Sequence, residues 1–229
     1  MRKAIFALML LVAMSAQAQT NLQFHYDFGK NRNYVTTTLE MFKPDKWGNT
    51  FFFVDFDYNM GEQNHPSSAY MEIARCLKFW NGPVSLHVEY NGGLGTFNAA
   101  GTEFAFPINN AYLVGLDYGL NNADFSKTLN IKALYKHIAG KQESAQLTAV
   151  WGLHFLNRKV SFTGFADLWL EDNTFGLNNT TSTVFISEPQ LWYNFGEHFS
   201  VGTEVEIATN FAGVEGVKVC PTLGAKWNF

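Results

Sequence analysis

Apolar and polar positions alternate with a period of two from about Leu22 to the last residue, the pattern of strands that bury one face in an apolar phase. The final segment is the clearest. Val219, Pro221, Leu223, Ala225, Trp227 and Phe229 fall on one side, and Lys218, Cys220, Thr222, Gly224, Lys226 and Asn228 on the other. Transmembrane barrels of the bacterial outer membrane commonly finish on such a strand with a terminal Phe, so Phe229 is the expected handle for barrel-assembly machinery. Counting similar segments predicts twelve strands, at 22–28, 34–42, 52–58, 69–79, 84–90, 112–118, 129–135, 145–151, 160–170, 185–193, 199–207 and 219–229. The fold class is therefore an all-β, transmembrane antiparallel barrel.

Facing follows from parity. Leu22, Phe24, Tyr26 and Phe28 are assigned to lipid, with Gln23, His25 and Asp27 inside. In the third strand Phe52, Val54, Phe56 and Tyr58 take the lipid side, so Asp55 and Asp57 point inward, where they escape the several kcal/mol of an ionised carboxylate in hydrocarbon. Two places resist. Facing Met71 and Ile73 outward leaves Arg75 on the lipid side, which calls for a bulge or a position at the bilayer boundary. Pro189 removes a ladder donor and predicts a bulge or kink.

If the first strand starts in the periplasm, the long connections at 59–68, 91–108, 172–182 and 209–217 all fall on the extracellular side, and the tight turns at 80–83 and 195–198 on the other. The Gly-, Ala- and Phe-rich 91–108 stretch is expected as a loop, either folded into the lumen or free at the surface.

Ahead of the first strand, Arg2 and Lys3 precede an apolar run from Ala4 to Met14 and a Ser15-Ala16-Gln17-Ala18 cleavage pattern. A bilayer span needs roughly 20 apolar residues, so this shorter run reads as a signal peptide over 1–18, with a barrel over 19–229. Losing it takes the formal charge from −4 to −6, which disfavours a nucleic-acid partner. Aromatic residues make up 16 % of the chain, with 22 Phe, yet hydropathy stays moderate because a barrel wall alternates lipid-facing and lumen-facing positions. Cys76 and Cys220 offer neither a metal-ligand spacing nor a disulfide framework, and no metal or cofactor is expected.

The inward face carries an excess of acid: Glu40, Asp55, Asp57, Glu72, Glu89, Asp117, Asp167, Glu188, Glu204 and Glu206 among others, against Lys132, Lys136, Lys218 and Lys226. Such a lumen repels anions and favours neutral or cationic solutes. The same parity turns Phe42, Phe51, Phe53, Phe165, Trp169 and Trp192 inward. Aromatic faces beside hydrogen-bonding carboxylates suit a planar polar solute, although aromatics also fill narrow barrels. The candidate substrate-binding set is Glu40, Asp55, Asp57 and Glu72 as acceptors with Phe42, Phe53 and Trp192 as stacking surfaces.

The run VTTTLEMFKPDKWGNTFFFVDFDYN, followed by AYMEIARCLKF, resembles the nucleoside-specific Tsx-type outer-membrane channels, at Glu40, Phe42, Trp47, Asp55, Asp57, Met71, Glu72, Ile73 and Arg75. With NLQFHYDFG and EPQLWYNF the chain is also similar to a Bacteroidota outer-membrane family grouped with those channels. The resemblance implies a monomeric twelve-stranded barrel in outer-membrane lipid that passes nucleosides passively. The second half departs from the Tsx-type pattern, so no binding residue there follows from it. Two other classes stay open: a closed structural or adhesive barrel, and an outer-membrane lipid-modifying enzyme. The enzyme reading is the weaker, because Ser85 and His87 share an inward face away from lipid, and His25, His137, His154 and His198 have no serine partner in a recognisable motif.

Overall fold

The computed structural model describes residues 19–30, 32–58, 65–175 and 178–229. Residues 1–18, expected as a signal peptide, and most of the 59–68 connection lie outside the described residues. The strands are β1 (Gln19–Asp27), β2 (Val35–Asp45), β3 (Gly48–Tyr58), β4 (Ser68–Leu77), β5 (Val84–Ala99), β6 (Thr102–Asn121), β7 (Lys127–Ile138), β8 (Ser144–Phe155), β9 (Val160–Phe175), β10 (Asn178–Ser187), β11 (Gln190–Phe195), β12 (Phe199–Thr209) and β13 (Val217–Asn228). All pairings are antiparallel and, apart from β10 and β11, join chain neighbours, and β1 pairs β13 from Asn21↔Asn228 to Asp27↔Thr222, which closes the sheet on itself. Closure leaves no unpaired edge in the apolar phase, the condition that a membrane imposes on a sheet.

β10 and β11 are one stave of a twelve-stave wall. Both lie between β9 and β12, and their registers run through Glu188–Pro189 without a shift: Ser187↔Ala166 continues as Gln190↔Thr163, and Ser187↔Ile207 as Gln190↔Glu204. Of the bulge or kink expected at Pro189, the bulge is absent; the strand is interrupted at Glu188–Pro189, while Glu188 N still donates to Phe165 O and Val205 N to Pro189 O. Gly164 opposite makes this possible. Its φ is +151°, and a Cβ there would lie 2.5 Å from Glu188 O and 2.9 Å from Pro189 Cα.

Arg75 is the interfacial case. β4 keeps continuous register with β3 and β5, so no bulge rescues it. Instead its guanidinium forks onto Asp45 at 2.7 and 2.9 Å and reaches Thr50 Oγ1 at 3.0 Å, where β2 turns into β3.

The 91–108 stretch is not a loop. β5 and β6 continue as a paired hairpin that turns at Ala100–Gly101, from Gly93↔Ile108 to Ala99↔Thr102, with β4 alongside β5 only as far as Gly95. One bulge sets two β6 residues, Asn109 and Asn110, against Gly92. Much of the expected 172–182 connection is likewise strand, with Asp172↔Thr181 and Phe175↔Asn178 paired.

Parity inside and outside is as the alternation requires. Phe24, Leu39, Ile73, Leu116, Ile131, Leu147, Leu168, Leu191, Val201 and Leu223 are exposed on the outer wall. A continuous apolar exterior of this kind is incompatible with water and matches a lipid-facing band. Tyr118, Tyr135 and Trp227 add exposed aromatics to it. Inside, Leu113, Leu134, Ile138, Trp169, Val184, Ile186 and Ala208 pack as an apolar cluster on the β6–β12 side.

Candidate functional site

On the opposite side of the lumen, β2, β3 and β4 lay their inward residues in cross-strand rows. Glu40, Phe53 and Glu72 form one row, and Thr38, Asp55 and Tyr70 the next. Phe42 and Phe51 stand one row towards the β2–β3 turn, and Thr36, Asp57 and Ser68 one row the other way. Six of the seven candidate residues are thus brought onto one patch. Directly opposed side chains on one face lie within about 4.5–5.5 Å at Cβ, so period-two strands with acids and aromatics at matching positions generate such a surface.

Each carboxylate is oriented by its own wall. Thr38 Oγ1 donates to Asp55 at 2.6 Å, Tyr70 Oη to Glu72 at 2.7 Å, and Asn21 Nδ2 to Glu40 at 2.9 Å. Asp57 accepts from Thr36 at 2.6 Å and Ser68 at 3.1 Å. These bonds leave further lone pairs on every acid, and all four side chains stay half-buried, so the lumen can reach them. Phe53 is tilted against Phe51 at 6.1 Å and Tyr70 at 6.0 Å, and Phe42 is 38 % exposed.

Trp192 does not join this surface. It is 0 % exposed: its ring lies over Gly202, Lys226 Nζ sits 4.2 Å from its centroid, His25 meets it edge-on at 5.6 Å, and its Nε1 donates to Gln190. With both sides of the indole covered, no face remains for a solute. Gly202 on β12 gives it the room to lie flat against the wall, and Gly224, opposite on β13, makes room for the His25 ring.

Barrel closure adds acids that the local pattern does not single out. Glu188 feels the charges of Glu204, Asp55, Glu206 and Glu72, which come from staves on both sides of the lumen, and Glu72 feels Glu89 and Asp167. Glu204 accepts from Gln190 at 2.6 Å and Asp167 from Thr148 at 2.5 Å. Near the other mouth, Arg32 from the β1–β2 connection reaches down to bond Asp27 at 2.8 Å and Glu206 at 2.8 and 2.9 Å.

Two groupings escape sequence reading because their members are far apart in the chain. His154 Nδ1 lies 2.9 Å from Ser161 Oγ, a cross-strand partner that no sequence motif marks; Asn194 Nδ2 also donates to that hydroxyl, and the pair faces inward. Cys76, His87 and Asp117 meet on β4, β5 and β6, and both cysteines are free and buried.

A closed antiparallel wall with an apolar exterior and a polar, acid-rich interior defines an outer-membrane β-barrel. Within that class, the chain belongs to the family described as Domain of unknown function (DUF5020), matched over residues 18–229. It is similar in fold to the NanC porin (11 % identity, covering 92 % of this chain and 100 % of that one, TM-score 0.58) and to the KdgM porin (14 %, 92 % and 99 %, 0.52). The translocator domain of autotransporter NalP from Neisseria meningitidis is a further match (10 %, 100 % and 96 %, 0.50). No curated protein matches.

Proposed function

We propose that this barrel is a narrow channel for passive diffusion of small neutral or cationic polar solutes, with nucleosides as the leading candidate. The observation that carries the reading is the inward patch of Glu40, Asp55 and Glu72 around Phe53. It sets oriented, water-accessible carboxyl groups beside an aromatic face, with the carboxyl groups of Glu188 and Glu204 on further staves of the same lumen. Carboxylates accept from sugar hydroxyls and base amino groups, and the flanking aromatic offers a base a surface to stack on. The likeness of the β2–β4 segment to the Tsx-type channels supports the same solute, and the likeness in fold to two porins is in keeping with a channel. The reading assigns no chemical step and no cofactor, and it takes the barrel as a monomer.

A second reading, a closed structural barrel, is favoured by the packing of Leu113, Leu134, Trp169, Val184 and Trp192 inside the wall. Single-channel conductance in a planar bilayer, titrated with nucleosides and with sugars and amino acids as controls, separates the two. Discrete conductance blocked by nucleosides alone supports the proposal. Block by another solute keeps the channel and discards the nucleoside. Absence of conductance discards the channel. Asp55→Ala with Asp57→Ala is expected to change selectivity in the conducting protein.

A further inference from the structure

The inner wall near the β2–β3 turn gathers three different donor side chains on neighbouring staves. Cys76 lies across from His87 in the β4–β5 ladder, and His87 lies across from Gly115 in the β5–β6 ladder, with Asp117 next on that face. Cys76 Sγ is 3.3 Å from His87 Nδ1 and 3.5 Å from Asp117 Oδ2, and the three donor atoms lie within 4.8 Å of one another. We propose that Cys76, His87 and Asp117 bind a thiophilic divalent cation of the Zn²⁺ class, with Glu89 as a positioning residue.

The distances suit the ion. Tetrahedral zinc with a sulfur at about 2.3 Å and nitrogen or oxygen at about 2.0–2.1 Å has sulfur-to-nitrogen and sulfur-to-oxygen edges of about 3.5–3.6 Å. The two edges from the sulfur match to a few tenths of an ångström, and the third, between the His87 and Asp117 donors, lies within 4.8 Å. Three protein donors leave the fourth position for a water.

The surroundings are those of a metal-ligand shell. The far ring nitrogen of His87, Nε2, is 2.7 Å from Glu89 Oε2, the carboxylate–histidine order that fixes a metal-binding imidazole, and Asn91 Nδ2 holds the other Glu89 oxygen at 3.1 Å. Asn130 Nδ2 bonds Asp117 Oδ1 at 2.7 Å, which leaves Oδ2 turned to the thiol. The trio is enclosed, at 4, 0 and 3 % exposure, so a bound ion exchanges slowly with the lumen. Binding forms the metal–sulfur bond and releases the thiol proton to water; thiolate and carboxylate together neutralise the ion.

The full chain, expressed and purified from outer membranes in detergent and stripped with a chelator, is titrated with Co²⁺. The expected result is a thiolate-to-cobalt charge-transfer band with the intense visible bands of a tetrahedral site, displaced by stoichiometric Zn²⁺. Cys220→Ser, on β13, keeps the spectrum and Cys76→Ser loses the charge transfer. Glu89→Gln keeps the spectrum but weakens affinity roughly 10–100-fold. Heat-modifiable gel mobility verifies folding of each variant. If Cys76→Ser does not fold, His87→Gln and Asp117→Asn carry the test, and unchanged affinity in both overturns the proposal. So does a wild-type titration without charge transfer, which would leave the trio as a hydrogen-bonded neutral thiol.

Discussion

Replacing Gly164 by Ala tests how Glu188 is held in the lumen. Gly164 has φ +151°, a conformation open to glycine and strained for an L side chain, and its added Cβ would stand 2.5 Å from Glu188 O, 2.9 Å from Pro189 Cα and 2.9 Å from Trp151 Cζ2. Two of those atoms are backbone and cannot rotate away. Strain of this type costs about 1–3 kcal/mol and overpacking about 1–3 kcal/mol, so the substitution is expected to cost roughly 3 kcal/mol, about a hundredfold in the folding equilibrium. Reversible urea unfolding in lipid vesicles, followed by tryptophan fluorescence, measures it. Gly152→Ala is the control: its φ lies outside the strained region, and its Cβ would meet chiefly the Thr128 hydroxyl at 2.8 Å, so it is expected to cost under about 1 kcal/mol. Equal stability of the two variants would refute the argument that the Glu188–Pro189 junction depends on the missing side chain at 164.

Arg32→Ala leaves Asp27 and Glu206 without their shared fork and is expected to destabilise by about 1–3 kcal/mol in the same assay, with Arg32→Lys recovering only part because one ammonium cannot reproduce a fork spanning both; full recovery by Lys would refute the geometry. Arg75→Ala should stay within about 1 kcal/mol of wild type, since both partners of its pair with Asp45 are open to water, at 25 and 38 % exposure; a much larger loss would place that pair in lipid. Glu188→Gln combined with Glu204→Gln is expected to lower the cation-over-anion permeability ratio, read as a reversal potential across a salt gradient; an unchanged potential in a conducting protein would remove these acids from the pathway.

The wall was legible in the chain because a transmembrane strand has to repeat apolar residues at every second position, and that requirement is local. Strand number, the lipid side of Phe24 or Leu223, and the inward turn of Asp55 and Glu72 all follow from parity alone. The departures arose where a residue's role depends on what stands across from it. Pro189 breaks no register because Gly164, on another stave, gives it space. The 91–108 stretch is glycine-rich yet forms a hairpin, because β5 and β6 go on pairing with each other beyond Gly95, where β4 ends.

The candidate site divides in the same way. Glu40, Phe53, Asp55 and Glu72 lie on consecutive staves, so knowing which residues point inward was enough to group them. Trp192 points inward too, but its burial beneath Lys226 and His25 depends on Gly202 of β12, which leaves space for the indole, and Gly224 of β13, which leaves space for His25. Likewise, Cys76, His87 and Asp117 are separated by 11 and 30 residues along the chain, and no spacing rule joins them. The sequence by itself determined a membrane barrel with an acidic, aromatic-bearing interior, since apolar periodicity and the cost of charge in lipid act residue by residue. Only the closed structure decided which acids face each other, which aromatics are covered and which donors meet, because those contacts are set by register between staves and by closure of β1 on β13.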